Sequence, residues 1–138
     1  MDYAFTYLSS NAFCTEDQYP YKALYGTCTV SNCTGGPNDK AYTDIPEGDE
    51  DALVAELLNG PISVAVDADP WTFYKHGILK HCEANVNHGV TLVAVNSEEG
   101  YLKIRNSWGS SWGENGYIRV ILGKNACGIA NIASVPTF

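Results

Sequence analysis

Histidine side chains are the most direct candidates for proton-transfer chemistry in this chain, because imidazole changes its protonation state near neutral pH. The chain has three histidines, and His88 stands between an asparagine and a glycine at the start of an apolar stretch. A side chain at the end of a strand can face a cleft while the strand beneath holds it in place. His88 is therefore either a candidate general base or an ordinary histidine whose hydrogen bonds are satisfied at a strand end.

A run rich in glycine and tryptophan follows His88 and favours the first interpretation. It extends from Asn106, 18 residues after His88, to Tyr117. Glycine permits close backbone approach or positive φ, and indole rings can cover a polar contact from water. The carboxamide of Asn106 could accept a hydrogen bond from the imidazole and fix its tautomer, which is the orienting role in a set of nucleophile, base and orienting group. An amide suits an imidazolium that is already paired with a thiolate.

The other two histidines raise the alternative of a metal site. His76 and His81 lie in one short stretch, and with Cys82 they form a conceivable set of ligands. Their spacing matches no common metal site, and surface histidines need no special arrangement. We therefore predict neither a metal nor a cofactor.

Five cysteines in 138 residues favour a disulfide-bonded protein of a secretory or vesicular compartment over a cytosolic one. Their spacings do not form two zinc-type CxxC pairs, and their odd number leaves one thiol unpaired within the chain. An Asn-Cys-Thr sequon makes Asn32 a candidate glycosylation site, in agreement with that compartment.

Composition narrows the classes of partner. The chain is 45% hydrophobic, so it can bury a core, and its formal net charge of -8 comes without any basic cluster that could neutralise a phosphate backbone. No apolar run approaches the roughly 18 residues that a membrane-spanning helix needs, and the first ten residues lack the layout of a signal peptide. These features argue against nucleic acid and membranes as partners.

The elements that must position these residues follow from the hydrophobic pattern. Helical spacing predicts a short amphipathic helix over Asp2–Ser10. A long surface connection from Cys14 to Pro46 follows, and we expect disulfide bonds to hold it in place. A second helix follows the acidic run at Gly48 and ends at Asn59-Gly60-Pro61. Alternating apolar residues then predict an antiparallel sheet or small barrel with strands at 62–66, 90–95, 101–105, 117–122 and 129–135, the second and third joined by a hairpin turn at 96–100.

Several motifs together resemble the papain family of cysteine proteases, which includes the lysosomal cathepsins. They occur in the family's order: Met1-Asp2-Tyr3-Ala4-Phe5, Tyr19-Pro20-Tyr21, Gly60-Pro61-Ile62-Ser63-Val64, Asn87-His88-Gly89-Val90, Asn106-Ser107-Trp108-Gly109, Trp112-Gly113-Glu114-Asn115-Gly116-Tyr117 and Cys127-Gly128-Ile129. The resemblance implies an α+β, papain-like cysteine proteinase fold. Residues 1–138 would form the C-terminal part of the peptidase domain, mainly its antiparallel β-barrel lobe, with a truncated central helix at the N-terminus.

The resemblance also implies roles for individual residues. His88 would be the general base and the imidazolium partner of the thiolate, Asn106 would orient it, and Trp108 would shield their hydrogen bond. The resemblance also implies a set of substrate-binding residues, namely Ala65, Val86, Asn87, Gly89 and Ile132. With Ile132 at its base and no acid present, the pocket for the residue preceding the cleaved one would prefer Leu, Val or Phe.

The cysteines take their implied roles from the same resemblance. Cys82 and Cys127 match the family's late disulfide, and Cys28 matches a cysteine whose partner lies in the part of the fold that precedes Met1. Cys14 and Cys33 lie outside the commonest pattern, and we pair them with each other as a hypothesis. Peptide mapping without reduction that linked Cys14 to Cys28 would overturn this pairing.

The family's nucleophile is absent from the sequence, as is the glutamine of its oxyanion hole. The base should follow the nucleophile by roughly 130 residues, and Cys14 lacks the flanking glycine and aromatic residues. Three readings remain: a fragment of an active protease, a natural chain that works with a separate chain, and a non-catalytic binding module for peptides or protease inhibitors. The implied partners are peptide or protein substrates, the missing N-terminal lobe in cis or in trans, and cystatin-type inhibitors; the implied location is the lysosome, the vacuole or the extracellular space.

Overall fold

The computed structural model of the chain describes residues 1–11, 13–30, 33, 35 and 41–137. They divide into two compact units, the first made of Met1–Thr43 with Pro136–Phe138 and the second of Asp44–Val135. The sequon residue Asn32 lies outside the described residues, so the structure does not bear on its glycosylation. The second unit is described in full and carries most of the secondary structure.

The first unit begins with helix α1, Asp2–Leu8. This confirms the helix predicted over Asp2–Ser10, although no residue of α1 is fully buried. Phe5, on its partly buried side, stacks on Tyr42 with ring centroids 5.9 Å apart. Residues 13–29 then form turns, bends and segments without regular secondary structure, as predicted for a surface connection. The connection predicted to reach Pro46 ends earlier, because residues Ala41–Asp44 form a strand.

The second unit contains helix α2, Glu50–Glu56. The carboxylate of Asp49 accepts the N–H of Ala52 at 2.8 Å and caps the helix, because the first amides of a helix have no partner within it. Leu53 and Leu57 face the core, whereas Leu58 is 83% exposed. A short 3₁₀ turn, Leu57–Asn59, ends at Gly60, whose φ of 152° favours glycine.

Among the described residues, seven strands form one sheet that is mostly antiparallel. In chain order they are β1 Ala41–Asp44, β2 Ile62–Val66, β3 Ile78–Leu79, β4 His88–Asn96, β5 Tyr101–Arg105, β6 Tyr117–Ile121 and β7 Ala133–Thr137. Their order across the sheet is β1-β7-β2-β4-β5-β6-β3, with β3 parallel to β6. The fold is therefore α+β, as predicted.

Alternation along the central strands builds the core of the second unit. Ile62, Val64 and Val66 of β2 are fully buried, while Ser63 and Ala65 between them are only partly buried. The same period of two buries alternate residues of the neighbouring strands, because successive side chains point to opposite faces of a sheet. The fully buried partners on these strands are Leu92, Leu102, Ile104, Ile118 and Val120.

One predicted strand, after Cys127, is shorter in the structure than expected. We predicted a strand over residues 129–135, but β7 begins only at Ala133. A 3₁₀ turn, Ala126–Gly128, precedes it, with positive φ at Cys127 (59°) and Gly128 (66°). The side chain of Asn125 accepts the N–H of Ala130 at 2.9 Å. A turn held by a side-chain amide therefore replaces the first half of the strand, since asparagine competes with a ladder for backbone bonds.

Candidate active site

Antiparallel pairing of two inner strands brings His88 and Asn106 together at the same end of the sheet. His88 is the first residue of β4, and Asn106 directly follows the last residue of β5. Thr91 pairs with Arg105, so the start of one strand lies beside the end of the other. The imidazole Nε2 and the amide Oδ1 of Asn106 are 2.9 Å apart, within hydrogen-bond distance.

Asn106 is held from two further directions. Its backbone N–H donates to the carbonyl of Gly116 at 2.9 Å, and its Oδ1 also accepts the backbone N–H of Ser107 at 2.7 Å. The residue is only 8% exposed. Its Nδ2 is buried and has no hydrogen-bond partner among the residues that the structure describes. The position of this amide is therefore set by the contacts of its oxygen and its backbone.

Two tryptophans contact the imidazole, and a third packs against both of them. Trp108 stacks on the ring of His88 at a centroid distance of 5.3 Å and an interplanar angle of 28°. Trp71 meets the same ring edge-on, at 6.5 Å and 90°. Trp112 packs against both indoles, at 6.2 Å from Trp71 and 5.1 Å from Trp108. Such aromatic contacts restrict the orientation of the imidazole ring.

Trp71 is the part of this cluster that the sequence analysis missed. It is fully buried, its indole N–H donates to Sγ of Cys127 at 3.4 Å, and its carbonyl accepts the indole N–H of Trp112 at 3.2 Å. It ends a 3₁₀ turn, Asp69–Trp71, that has Pro70 in its first positions. The only signal for this role in the local sequence is the tryptophan itself, which lies outside the glycine-rich run. Nothing in the sequence around it indicates that it contacts His88.

The glycines of the run have a steric reason, clearest at Gly113. Its φ is 55°, and a Cβ built there would lie 2.6 Å from the carbonyl oxygen of Tyr117 and 3.1 Å from the ring of Tyr74. No larger residue fits without moving backbone. The glycine therefore allows the loop to fold tightly against the aromatic cluster.

Glu114 of the same run fastens the loop to the sheet. Its carboxylate accepts from Nε of Arg119 at 2.9 Å and from a terminal guanidinium nitrogen at 2.7 Å, and it also accepts the N–H of Gly77 at 2.9 Å. The bidentate hydrogen bonds from Arg119, aided by the Gly77 N–H, lower the pKa of Glu114 to about 2. Burial raises the pKa of the neighbouring Tyr74, whose hydroxyl donates to the Gly77 carbonyl at 2.6 Å.

We expect Glu114→Gln to destabilise the chain in a pH-dependent way. A carboxylate whose pKa is lowered from 4.5 to about 2 stabilises the folded state above pH 4.5, and this stabilisation is lost as the pH falls toward 2. At pH 6 the variant should lose roughly 1–3 kcal/mol of unfolding free energy. Urea unfolding at pH 6, 4 and 2.5 measures the difference, which should shrink as Glu114 becomes protonated.

Glu98→Gln is the matched control for this prediction, because Glu98 is an exposed glutamate of the 96–100 turn. It should change stability by no more than about 0.5 kcal/mol at any of these pH values. A loss on Glu114→Gln that stayed constant from pH 6 to pH 2.5 would contradict the carboxylate as its source.

Three of the predicted substrate-binding residues lie side by side. Ala65 pairs with Gly89 across β2 and β4, and its N–H donates to the carbonyl of Ile132 at 2.9 Å. Ile132 is 45% exposed, and a Cβ built at Gly89 would have no neighbouring atom within 4 Å. The three residues thus form an apolar, open strip of surface in the second unit.

The other two predicted substrate-binding residues precede His88 in the chain. A Cβ built at Gly128 would lie 3.1 Å from Cγ1 of Val86, so that side chain packs against the 3₁₀ turn. Asn87 accepts the N–H of Ala68 at 3.0 Å and donates to the carboxylate of Asp69 at 2.9 Å. Asn87 therefore ties the start of β4 to the turn that carries Trp71.

The cysteines of the second unit form a disulfide between Cys82 and Cys127, whose Cα atoms are 4.8 Å apart. In the first unit Cys14 pairs with Cys33 at a Cα distance of 5.0 Å, and Cys28 is a free, exposed cysteine. The second unit, described throughout, consequently holds no free thiol.

Within the described part of the chain, no three His, Cys, Asp or Glu side chains lie close enough together to hold a metal ion. Cys82, one of the conceivable metal ligands, is engaged in the disulfide. No helix in the same residues has the length and apolar character needed to cross a membrane.

The geometry defines what the site can do. One imidazole nitrogen is bonded to a buried amide and the ring is stacked under an indole, while its Nδ1 makes no hydrogen bond to any described residue. An imidazole held in this way can accept a proton from a nucleophile and return it to a leaving group.

Comparison with known proteins places these features in a family. The family model described as "Papain family cysteine protease" matches residues 1–137 of the chain. The chain is 46% identical over 136 residues to cathepsin L 2 of Paramecium tetraurelia, covering 99% of this chain and 42% of that protein. The chain spans about two fifths of the length of the curated relatives it matches.

Solved structures agree in fold. A cysteine protease of Carica candamarcensis, solved in complex with E-64, superposes with a TM-score of 0.91 at 30% identity, over 99% of this chain and 67% of that one. Digestive procathepsin L 3 of Tenebrio molitor superposes with a TM-score of 0.90 at 37% identity, over 100% of this chain and 48% of that one.

Proposed function

The chain belongs to the papain family of cysteine proteases, and from this premise we propose that it carries the proton-transfer part of a Cys-His-Asn site for peptide-bond hydrolysis. The observation that carries the proposal is the 2.9 Å contact between His88 Nε2 and Asn106 Oδ1 beneath the stacked Trp108 ring. The nucleophilic thiol is supplied by a residue outside these 138 residues.

His88, Asn106 and Trp108 each have their own role in the proposed reaction. Nδ1 of His88 takes the proton of the thiol, and the resulting thiolate attacks the carbonyl carbon of the scissile bond. The imidazolium then gives its proton to the leaving amine as the carbon–nitrogen bond breaks. Asn106 keeps the ring oriented through both transfers, and Trp108 excludes water that would weaken the bond between them.

The proposal of an outside nucleophile rests on the state of the cysteines. Both cysteines of the second unit are joined to each other, so neither can serve as the thiolate beside His88. Cys28 is a free, exposed cysteine of the first unit, and its flanking residues, Thr27 and Thr29, lack the glycine and aromatic residues of the family's nucleophile motif.

A chimera tests this proposal. The 138 residues replace the matching segment of Paramecium tetraurelia cathepsin L 2, which supplies the remaining sequence of the enzyme. We expect the chimera to hydrolyse an apolar dipeptide reporter in a thiol-dependent manner that E-64 blocks, and the chain alone to show no hydrolysis. Hydrolysis by the chain alone would contradict the outside nucleophile. A folded, inactive chimera that still binds peptides would instead support a non-catalytic binding module.

The strip of Ala65, Gly89 and Ile132 leads to a specificity prediction. An apolar wall cannot pair a buried guanidinium, so the chimera should cleave reporters with Leu before the cleaved residue at least about tenfold more efficiently than those with Arg. Ile132→Glu should reverse the order by supplying a carboxylate, as measured by kcat/KM on the paired reporters. Ile132→Leu is the matched control and should preserve the preference; Arg preferred by the unsubstituted chimera would refute it.

Peptides and proteins are the proposed substrates, and cystatin-type inhibitors the proposed regulators. A missing N-terminal lobe, in cis or in trans, is the proposed source of the nucleophile. The proposed location is the lysosome, the vacuole or the extracellular space. It is supported by the two disulfides, which persist in oxidising compartments and are rare in the cytosol.

A further inference from the structure

The amide of Asn106 receives two hydrogen bonds on one oxygen, from His88 and from the next residue in the chain. We propose that the backbone N–H of Ser107 is a positioning group that fixes the tautomer of His88. The inference rests on the proposed function for its purpose, because a base must present an unprotonated nitrogen to the thiol. Its evidence is separate, since it concerns only the hydrogen bonds of three neighbouring groups.

The N–H of Ser107 determines the orientation of the Asn106 amide. The backbone N–H of Ser107 can only donate, and the side-chain atom of Asn106 that faces it lies 2.7 Å away. That atom must accept, so it is the oxygen and not the NH₂ group. In the flipped orientation two donors would face each other at this distance, without a bond.

The orientation of the amide fixes the hydrogen position on the imidazole. The same Oδ1 lies 2.9 Å from Nε2 of His88, and an amide oxygen can only accept. Nε2 must therefore carry the hydrogen in the neutral ring. Nδ1 is then left with its lone pair, which is the state that a general base requires.

The other end of the amide has no bond that could set its orientation. Nδ2 is buried and has no partner among the described residues, so no acceptor on that side favours the observed orientation. The Ser107 N–H and the imidazole are thus the groups that decide it. Without the N–H, the amide could turn over, and Nδ2 would then donate to an Nε2 that has lost its hydrogen.

The backbone N–H of Ser107 makes the hydrogen bond to the amide and the residue is exposed, so its side chain is not needed for this contact. Ser107→Ala keeps the N–H and is the matched control. Replacing the peptide bond before residue 107 with an ester, by semisynthesis of the full 138-residue chain, removes the N–H and leaves the side chain unchanged. Ser107→Pro removes the same N–H genetically and provides a second variant.

The tautomer can be read directly from ¹⁵N shifts of the ring nitrogens in histidine-labelled chain, at a pH where His88 is neutral. We expect Nε2–H in the unsubstituted chain and in Ser107→Ala. The ester and Ser107→Pro should shift the population toward Nδ1–H by about tenfold, the factor of one ordinary hydrogen bond. Circular dichroism of each variant verifies that the fold is retained.

An Nδ1–H ring in the unsubstituted chain, or an Nε2–H population that is unchanged in folded ester and proline variants, would overturn the inference. The measurement uses no substrate and no nucleophile. An inactive chimera would therefore count against the proposed function alone, and an unchanged tautomer would count against the role of Ser107 alone.

Discussion

Replacing His88 with alanine in the chimera should lower kcat for peptide hydrolysis by about 10²–10⁴-fold, with little change in KM. The imidazole is the group proposed to move the proton. No described residue forms a hydrogen bond to its Nδ1, so no neighbouring group is in place to move the proton once the ring is removed. The loss should therefore fall on the chemical step, not on substrate binding. Steady-state kinetics with the Leu-containing reporter measure both constants.

The matched control for this prediction is His81→Ala, which removes an exposed histidine of the same unit. It should keep kcat within about twofold, since surface substitutions away from a site are close to neutral. Unfolding curves of both variants separate a loss of chemistry from a loss of structure. A folded His88→Ala chimera with near-normal kcat would exclude His88 as the base.

Trp71→Ala should have the largest effect on stability, lowering the unfolding free energy of the chain by about 3–5 kcal/mol. The indole is fully buried, stacks on Trp112 and bonds the sulfur of Cys127, so truncation removes its contacts and leaves a cavity. Urea unfolding of the 138-residue chain, followed by circular dichroism, measures the change.

Two further variants test the reason for this loss. Trp71→Phe keeps most of the buried ring and should cost less than the alanine variant, because it removes the indole N–H and only part of the volume. Trp108→Ala removes an indole that is 40% exposed and should also cost less. If Trp108→Ala destabilised the chain more than Trp71→Ala, the buried indole would not be the anchor of the aromatic cluster.

The order of these two tryptophans has a functional consequence. Trp108 stacks on the imidazole and is the residue proposed to shield its hydrogen bond, whereas Trp71 supports the ring from the core side. Trp108→Ala is therefore expected to affect the reaction more than the fold, and Trp71→Ala to affect both. We therefore propose that Trp108 shields the imidazole on its exposed side and that Trp71 supports it on its buried side.

Local sequence patterns were sufficient for most of the fold. Period-two alternation predicted β2, β5 and β6, and the acidic run after Gly48 together with the terminal Asn59-Gly60-Pro61 predicted α2. These signals work because helix caps and strand faces depend on residues a few positions apart. The order of short motifs predicted the family, and the comparisons confirmed it.

The misses have two physical causes, a strand pairing between distant residues and a local turn that leaves no periodic pattern. The two-residue strand β3 exists through its pairing with β6 and has no pattern of its own. The strand predicted from residue 129 was wrong because positive φ at Cys127 and Gly128 and the amide of Asn125 impose a turn there. Side-chain bonds of this kind leave no periodic trace in the sequence.

The sequence by itself therefore determined which residue types were available for chemistry, the elements that carry them and the family to which the chain belongs. Only the tertiary structure decided that Trp71 supports the ring of His88, that Glu114 holds the loop through Arg119 and that one oxygen of Asn106 accepts two hydrogen bonds. Distances between side chains follow from strand register and loop closure, and these are set by packing of the whole core, not by local periodicity.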